Sequence, residues 1–297
     1  MNLKKTIFLA IIIVLFNACG GGSSTDNKNS NKTTEVSEEP YNSEKKLFPS
    51  KITTIQYHPQ DTTQKISVIT STFKYNNKNL MIKQTTTMHE YNKSKITLTI
   101  NIKVKYDNQN RYIEHEGIQE NFIPNQPTRT VHSSAKMKYK NDKIAEEYYY
   151  NEGVLSNKWI VTEWDGNKPL KRQNIGYSKD GEETLISTQI NTYERENIIH
   201  TELHQSDGGI NTTDRVFDDK KIPEWNDVVQ RKYYTYCAKG KNNAVSETLI
   251  SPRRTLTVEN RLKYNDKNMI IEEDSYRYYT DSDYVFREKT VIEYVER

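Results

Sequence analysis

The sequence predicts an all-β protein: a large twisted or curled antiparallel meander sheet built from hairpin repeats, with a disordered N-terminal tether. Three observations carry this expectation. The first is strict alternation. Ile96, Leu98, Ile100, Ile102, Val104 and Tyr106 share one parity, with Thr97, Thr99, Asn101, Lys103 and Lys105 between them. Leu256, Val258, Asn260, Leu262 and Tyr264 repeat the pattern against Thr255, Thr257, Glu259, Arg261 and Lys263. Period two over such lengths is the signature of a half-buried strand. The second is composition. Ile outnumbers Leu, and 21 Tyr and 3 Trp are present; β-branched and aromatic side chains suit a pleated surface. The third is a recurring phrase that ends strands and opens turns.

Lys74-Tyr75-Asn76-Asn77-Lys78-Asn79-Leu80 is one copy of the phrase, and Lys105-Tyr106-Asp107-Asn108-Gln109-Asn110-Arg111 is another. Lys263-Tyr264-Asn265-Asp266-Lys267-Asn268-Met269 is a third, and Lys138-Tyr139-Lys140-Asn141-Asp142-Lys143 a shortened fourth. Phe73, Val104, Met137 and Leu262 stand two places before each Tyr, on the same strand face. Weaker echoes fall at Tyr91, Trp164, Tyr177, Tyr193 and Phe217. Asn and Asp hydrogen-bond the backbone just downstream, and Asn tolerates the left-handed conformation of tight turns. Each phrase therefore reads as a hairpin turn. Spaced two strands apart, the copies form an array in which each unit buries its face on its neighbours.

The phrase apolar-x-Tyr-[Asp/Asn]-x-x-[Asn/Gly] resembles the YD repeat of bacterial Rhs-type shell proteins. It is also similar to that of exported bacterial lipoproteins with degenerate YD-like repeats. The resemblance spans roughly residues 70–297 and implies a long antiparallel meander that curls on itself. It supplies no catalytic residue. The Gly usual after the turn is mostly Asn here, and the Arg that often follows appears as Arg111.

The N-terminus resembles a lipoprotein signal peptide. Lys4 and Lys5 precede an apolar run from Ile7 to Phe16, and Leu15-Phe16-Asn17-Ala18-Cys19 leads into Gly20-Gly21-Gly22. The apolar run is shorter than the about 20 residues a bilayer-spanning helix needs, so it reads as a targeting segment. The implied organisation is a signal peptide over 1–18, a lipidated Cys19 with a polar tether over 19–46, and one repeat-built β domain over 47–297. Gly20 after the cysteine implies, by analogy with enteric lipoprotein sorting, the outer membrane. Whether the domain faces the periplasm or the exterior is left open.

Totals bound the partners. Without Lys4 and Lys5 the formal net charge of +3 falls to +1, too little to hold nucleic acid or an anionic membrane patch. With Cys19 lipidated, Cys237 has no intramolecular disulfide partner.

Candidate chemistry is sparse. His200 and His204 have the spacing of a helical zinc pair, but on a strand they stand roughly 13 Å apart, so no metal is expected. His58, His89, His115 and His132 form no pattern, and no Ser occupies a Gly-x-Ser-x-Gly elbow. Glu114, Glu116, Glu146, Glu147, Glu272 and Glu273 follow turns without singling out a catalytic pair. Cys237 reads as a small buried hydrophobe. Glu90-Tyr91-Asn92-Lys93-Ser94 fits a bacterial glycosylation sequon and overlaps a repeat turn, and a short helical turn is expected near Pro223–Asp227. The tyrosines could pack across strands or stack a ligand. Tyr148, Tyr149, Tyr150, Tyr276, Tyr278 and Tyr279 alternate faces and are the candidate binding surface.

These readings converge on a non-catalytic, cofactor-free envelope lipoprotein: a binding, adhesion or assembly module at the outer membrane. Its partner is the membrane through the anchor, with a protein, glycan or lipid ligand left open. Exposed edge strands would offer β-augmentation. The alternative is a carrier of lipid or lipidated protein on a concave apolar face.

Overall fold

The computed structural model describes residues 46–91, 95–122, 125–221 and 242–297. Sixteen strands follow one another: β1 (Leu47–His58), β2 (Asp61–Tyr75), β3 (Met81–Glu90), β4 (Lys95–Tyr106), β5 (Tyr112–Asn121), β6 (Arg129–Lys140), β7 (Lys143–Asn151) and β8 (Val154–Asp165). They continue as β9 (Lys168–Tyr177), β10 (Glu183–Glu194), β11 (Asn197–Gln205), β12 (Ile210–Lys221), β13 (Asn242–Ile250), β14 (Thr255–Tyr264), β15 (Ile270–Tyr279) and β16 (Val285–Glu296). Each pairs antiparallel with its sequence neighbour, and β1 pairs with β16. Lys46 and Arg297 exchange backbone hydrogen bonds of 3.1 and 3.0 Å to complete that seam.

The sheet is therefore a closed barrel, which corrects the expectation of an open, curled meander. The all-β, nearest-neighbour topology agrees; closure does not. Hairpin phrases specify which strands are adjacent, whereas closure depends on strand number and shear over the whole circuit. The correction has a consequence for recognition. A closed barrel has no unpaired edge row of N–H and C=O groups, so strand addition at an edge is not available to a partner.

Alternation then decides inside from outside. On β4, Leu98, Ile100, Ile102 and Val104 are 5–7% exposed and face the lumen, while Asn101, Lys103 and Lys105 face out. Across β3 to β8 the inward residues Met88, Ala135, Met137, Tyr149 and Trp159 join them in one apolar cluster with Met81 and Tyr112. Leu203, on β11 across the ring, packs on the same cluster. Facing walls thus touch, and this part of the lumen is filled by side chains. A second cluster joins Phe48, Ile52, Met269, Ile270 and Ile292 beside the seam.

The repeat now has a place. Because two strands separate successive copies, the phrases stack at one end of the barrel, here called the base, together with both ends of the ordered chain. Asn76 closes its turn by accepting from the N–H groups of Lys78 and Leu80, each at 3.0 Å. Asp107 does the same for Gln109 and Arg111, and Asn265 for Lys267 and Met269. The residue three places on takes positive φ in each: Asn79 at 61°, Asn110 at 61° and Asn268 at 57°. Asn replaces the usual Gly there because it is the side chain that best tolerates that region. The shortened copy is a two-residue turn with Asn141 and Asp142 both at positive φ, 51° and 59°, as the twist of a tight hairpin requires. Burial raises the pKa of Asp107, but the Arg111 and Gln109 backbone N–H groups and the Arg111 guanidinium outweigh it and hold the carboxyl below its ordinary value.

Each phrase also ends in a β-bulge that no turn signal announces. Tyr75 opposes Met81 while Lys74 opposes Lys83, so Ile82 is an extra residue. The same skip recurs opposite Tyr106, Tyr139, Trp164, Tyr193, Phe217, Tyr264 and Tyr294. Every even-numbered strand thus meets its bulge with an aromatic. Five of these tyrosines donate their hydroxyl to a carbonyl on the strand at their other side: Tyr75 to Pro49 at 2.7 Å, Tyr106 to Met81 at 2.8 Å and Tyr139 to Tyr112 at 2.7 Å. Tyr193 reaches Pro169 at 3.3 Å and Tyr294 reaches Ile270 at 2.7 Å. Tyr264 instead bonds Asp218 and Asn243. The repeat tyrosine is a clasp, tying each hairpin to the one before it.

Candidate functional site: the lumen and its mouth

Above the apolar base the lumen turns polar. Arg215 pairs with Glu247 at 3.2 Å and donates to Thr201 at 2.9 Å. Thr201 and Gln189 both donate to Asn191, at 3.2 and 2.8 Å, and Asn191 in turn reaches the Pro169 carbonyl at 3.0 Å. On the other side Arg277 meets Glu288 at 3.4 Å, Gln56 donates to Glu288 at 3.3 Å, and Ser67 donates to Gln56 at 2.6 Å. These chains satisfy one another's polar groups strand by strand, which is what a buried polar network must do. The Arg172 guanidinium lies 4.2 Å over the Trp159 ring. Inward cations and carboxylates are thus held within the wall.

Toward the opposite end, the mouth, most inward side chains become half-buried or exposed, while Leu98 and Asn121 stay buried. Two arcs of different chemistry line it. From β5 to β12 it carries carboxamides: Gln119 donates to Asn121 at 2.9 Å, Asn157 donates to Asn174 at 3.2 Å, and Asn151, Gln205 and Asn211 occupy equivalent inward positions. From β13 to β16 it carries Leu249, Leu256, Tyr279 and Phe286. The Tyr279 and Phe286 rings meet edge-on at 5.5 Å, and Arg254 lies 4.5 Å over Tyr279.

The six candidate tyrosines do not form one surface. Tyr148 and Tyr150 face out on β7, Tyr276 and Tyr278 face out on β15, and these strands lie half a circuit apart. Tyr149 is 5% exposed in the lumen and donates to Glu147. Tyr279 belongs to the mouth. The outward rings lie among charged neighbours: Lys138 is 4.5 Å over Tyr148, and Arg261 is 4.6 Å over Tyr276. The sequence reading has these tyrosines alternating faces within each strand, and alternation alone could not say which face lines a lumen.

The outer wall carries ion pairs on several strands, with Thr70, Thr72, Thr85, Thr87, Thr99 and Asn101 filling the outward positions of β2 to β4 above them. Lys105 bridges Glu114 and Glu116 at 3.0 and 2.7 Å. Across the ring Lys263 and Lys289 flank Glu272 at 2.6 and 2.9 Å, and these hydrogen bonds hold the Glu272 carboxyl below its ordinary pKa. Arg287 grips Asp274 through two bonds of 2.8 and 2.7 Å. Of the candidate carboxylates, Glu114, Glu116, Glu146 and Glu272 are on this wall, whereas Glu147 and Glu273 point inward and are buried.

His200 and His204 stand on β11, an outward strand, with Glu202 between them. Glu202 takes His204 at 2.6 Å and lies 3.7 Å from His200, which meets Asp214 at 2.6 Å. The His204 hydrogen bond lowers the Glu202 pKa. Among the described residues no group of three or more His, Cys, Asp or Glu has the geometry to hold a metal ion. Cys19, Asn92, Cys237 and the turn expected near Pro223–Asp227 lie outside the described residues.

No known protein family matches the chain, and no curated protein does. Among solved structures it is similar to a porin-like protein from Bacteroides uniformis, with 10% identity and a TM-score of 0.36 over 84% of this chain and 98% of that one. A porin-like protein from Bacteroides vulgatus gives 9% identity and 0.34 over 84% and 99%. Likenesses of that size carry no weight on what this chain does.

Proposed function

We propose that this chain is a non-catalytic lipoprotein of the cell envelope, anchored through Cys19, whose barrel stands in water and binds a partner at its mouth. The charged outer wall carries the reading. A membrane-spanning barrel turns an apolar band about 25 Å tall toward lipid, and each Lys or Arg at the midplane there costs about 2–4 kcal/mol. Here the outward positions near mid-strand are Asn101, Glu116, Ser134 and Tyr148 on adjacent strands, and Arg261, Asp274 and Lys289 across the ring. No lipid-facing band can be drawn through them.

The anchor supports an orientation. The described chain begins at the base, so an anchor at Cys19 joins it from that end, with the base toward the membrane and the mouth away from it. The filled apolar base disfavours the carrier alternative, because the side chains that would line a lipid chamber pack on one another. The non-catalytic reading is supported by the candidate carboxylates of the outer wall, since Glu114, Glu116, Glu146 and Glu272 each pair with lysine.

Replacing Cys19 by Ser removes the acyl anchor. The expected result is that the chain moves from the envelope pellet to the soluble fraction without detergent. A Cys19→Ser chain that stays in the pellet and is extracted only by detergent would overturn the reading.

A further inference from the structure

The mouth combines two kinds of surface that the water-standing reading, on which this inference rests, leaves unused. Asn151, Asn157, Asn174, Gln205 and Asn211 present carboxamides along the arc from β7 to β12. A carboxamide offers a donor and an acceptor on one planar group and carries no charge. The adjoining quarter, β13 to β16, presents Tyr279 and Phe286 with Leu249 and Leu256. Deeper in the lumen Arg277 pairs with Glu288 and Arg215 with Glu247.

A ligand fitting both arcs has many neutral groups that donate and accept, and an apolar face that lies on an aromatic ring. Sugar rings have that chemistry: hydroxyls around the rim and a C–H face. A lipid chain would leave the carboxamides unpaired, at the cost of desolvating them. Arg129 at the lip and Arg254 over Tyr279 offer an anionic polymer two cations, and the sulfated probe below tests that occupant. The arrangement also matches the general form of a binding site, an apolar surface with a few convergent polar groups. We infer that the mouth is a binding site for a neutral oligosaccharide, its rings stacked on Tyr279 and Phe286 and its hydroxyls on the neighbouring carboxamide arc.

The test is calorimetric titration of the full lipoprotein, solubilised in a polyoxyethylene detergent that carries no sugar headgroup. The probes are neutral hexasaccharides of glucose, mannose, xylose and N-acetylglucosamine, with a sulfated polysaccharide as the anionic comparison. The expected result is saturable binding of at least one neutral probe at submillimolar concentration. Tyr279→Ala and, separately, Asn174→Ala should each weaken it about tenfold, the size of one lost stacking contact or hydrogen-bonding pair. Tyr148→Ala, on the outer wall, should leave it unchanged. Because Tyr279 also packs on Phe286, Tyr279→Leu serves as the variant that keeps volume while losing the ring, with its thermal transition checked first.

Failure of every neutral probe at millimolar concentration would overturn the inference. So would equal affinity in folded Tyr279→Leu and Asn174→Ala variants, or binding of the sulfated probe alone. None of these outcomes touches the water-standing reading, which stands or falls on the Cys19→Ser fractionation.

Discussion

Replacing Ile100 by Asp abolishes the cooperative thermal transition of the barrel, while replacing its neighbour Asn101 by Asp leaves it nearly unchanged. Ile100 is 5% exposed at the centre of the apolar cluster, between Thr86 and Gln119 on the flanking strands. The substitution removes a buried aliphatic side chain, at about 2–5 kcal/mol, and puts an unpaired carboxyl where no cation waits. Several more kcal/mol follow from its desolvation. Together they rival the roughly 5–15 kcal/mol that holds a domain folded. Asn101 points outward, where it accepts from the Thr85 hydroxyl at 3.0 Å; an aspartate there stays solvated and keeps the bond. Circular dichroism melts of the two variants make the comparison. Similar melts for both would mean that the inward face of β4 is wrongly assigned.

The second large effect comes from the tyrosine clasp. Tyr106→Phe removes the hydroxyl that reaches the Met81 carbonyl and should cost about 1 kcal/mol, the net value of one such bond. That is roughly 2–4 °C in melting temperature for a domain of this size. Tyr106→Ala also removes a ring packed on the cluster and should cost about 3–5 kcal/mol. Tyr75 and Tyr139 occupy the same place in neighbouring hairpins, so their Phe variants should match within a few tenths of a kcal/mol. Phe217 holds a place in the ring without a hydroxyl, and Phe217→Tyr offers the reverse comparison. Three Phe variants with no measurable loss would show that the hydroxyls are ornaments on a fold held by the rings alone.

Much of the fold was legible in short words of sequence. The alternation from Leu98 to Val104 marked an inward face, and the Asn-rich turns marked hairpins down to the residues that take positive φ. Of the weaker echoes, Trp164, Tyr193 and Phe217 fall in the basal ring, while Tyr91 and Tyr177 lie at the mouth end. What separates them is the bulge, a register event between two strands that neither strand announces alone. Tyr294 was missed for a simpler reason: the chain ends there, so no turn follows to flag it. Closure was not legible either. Nothing local to Leu47 or Glu296 shows that they are partners, since that pairing depends on the accumulated twist and shear of the fourteen strands between them.

The site was harder to read than the fold. The lumen breaks the hydrophobic pattern with Asn191, Asn260 and Arg172, all buried, because the ring of strands supplies partners that a single strand lacks. Asn260 accordingly donates to the Ala244 carbonyl at 3.1 Å and accepts from Ser275 at 2.8 Å. In sequence such residues look like interruptions. The carboxamides of the mouth come from strands far apart in the chain and share no motif, so only the assembled barrel brings them together. The tyrosines read as alternating faces are divided by the pleat, Tyr148 and Tyr150 to the wall and Tyr149 to the lumen.

The central claim is that the outer wall faces water. A single cysteine at Glu116, mid-strand on that wall, in a chain with Cys237 replaced by Ser, tests it in opened but detergent-free envelopes. Cys19 is consumed by lipid, so Glu116→Cys is the one free thiol. The account predicts rapid labelling by a charged, membrane-impermeant maleimide, at the rate seen after detergent is added. Labelling only by a lipid-soluble maleimide, with the charged reagent excluded until detergent is present, would contradict it and put the wall in the bilayer.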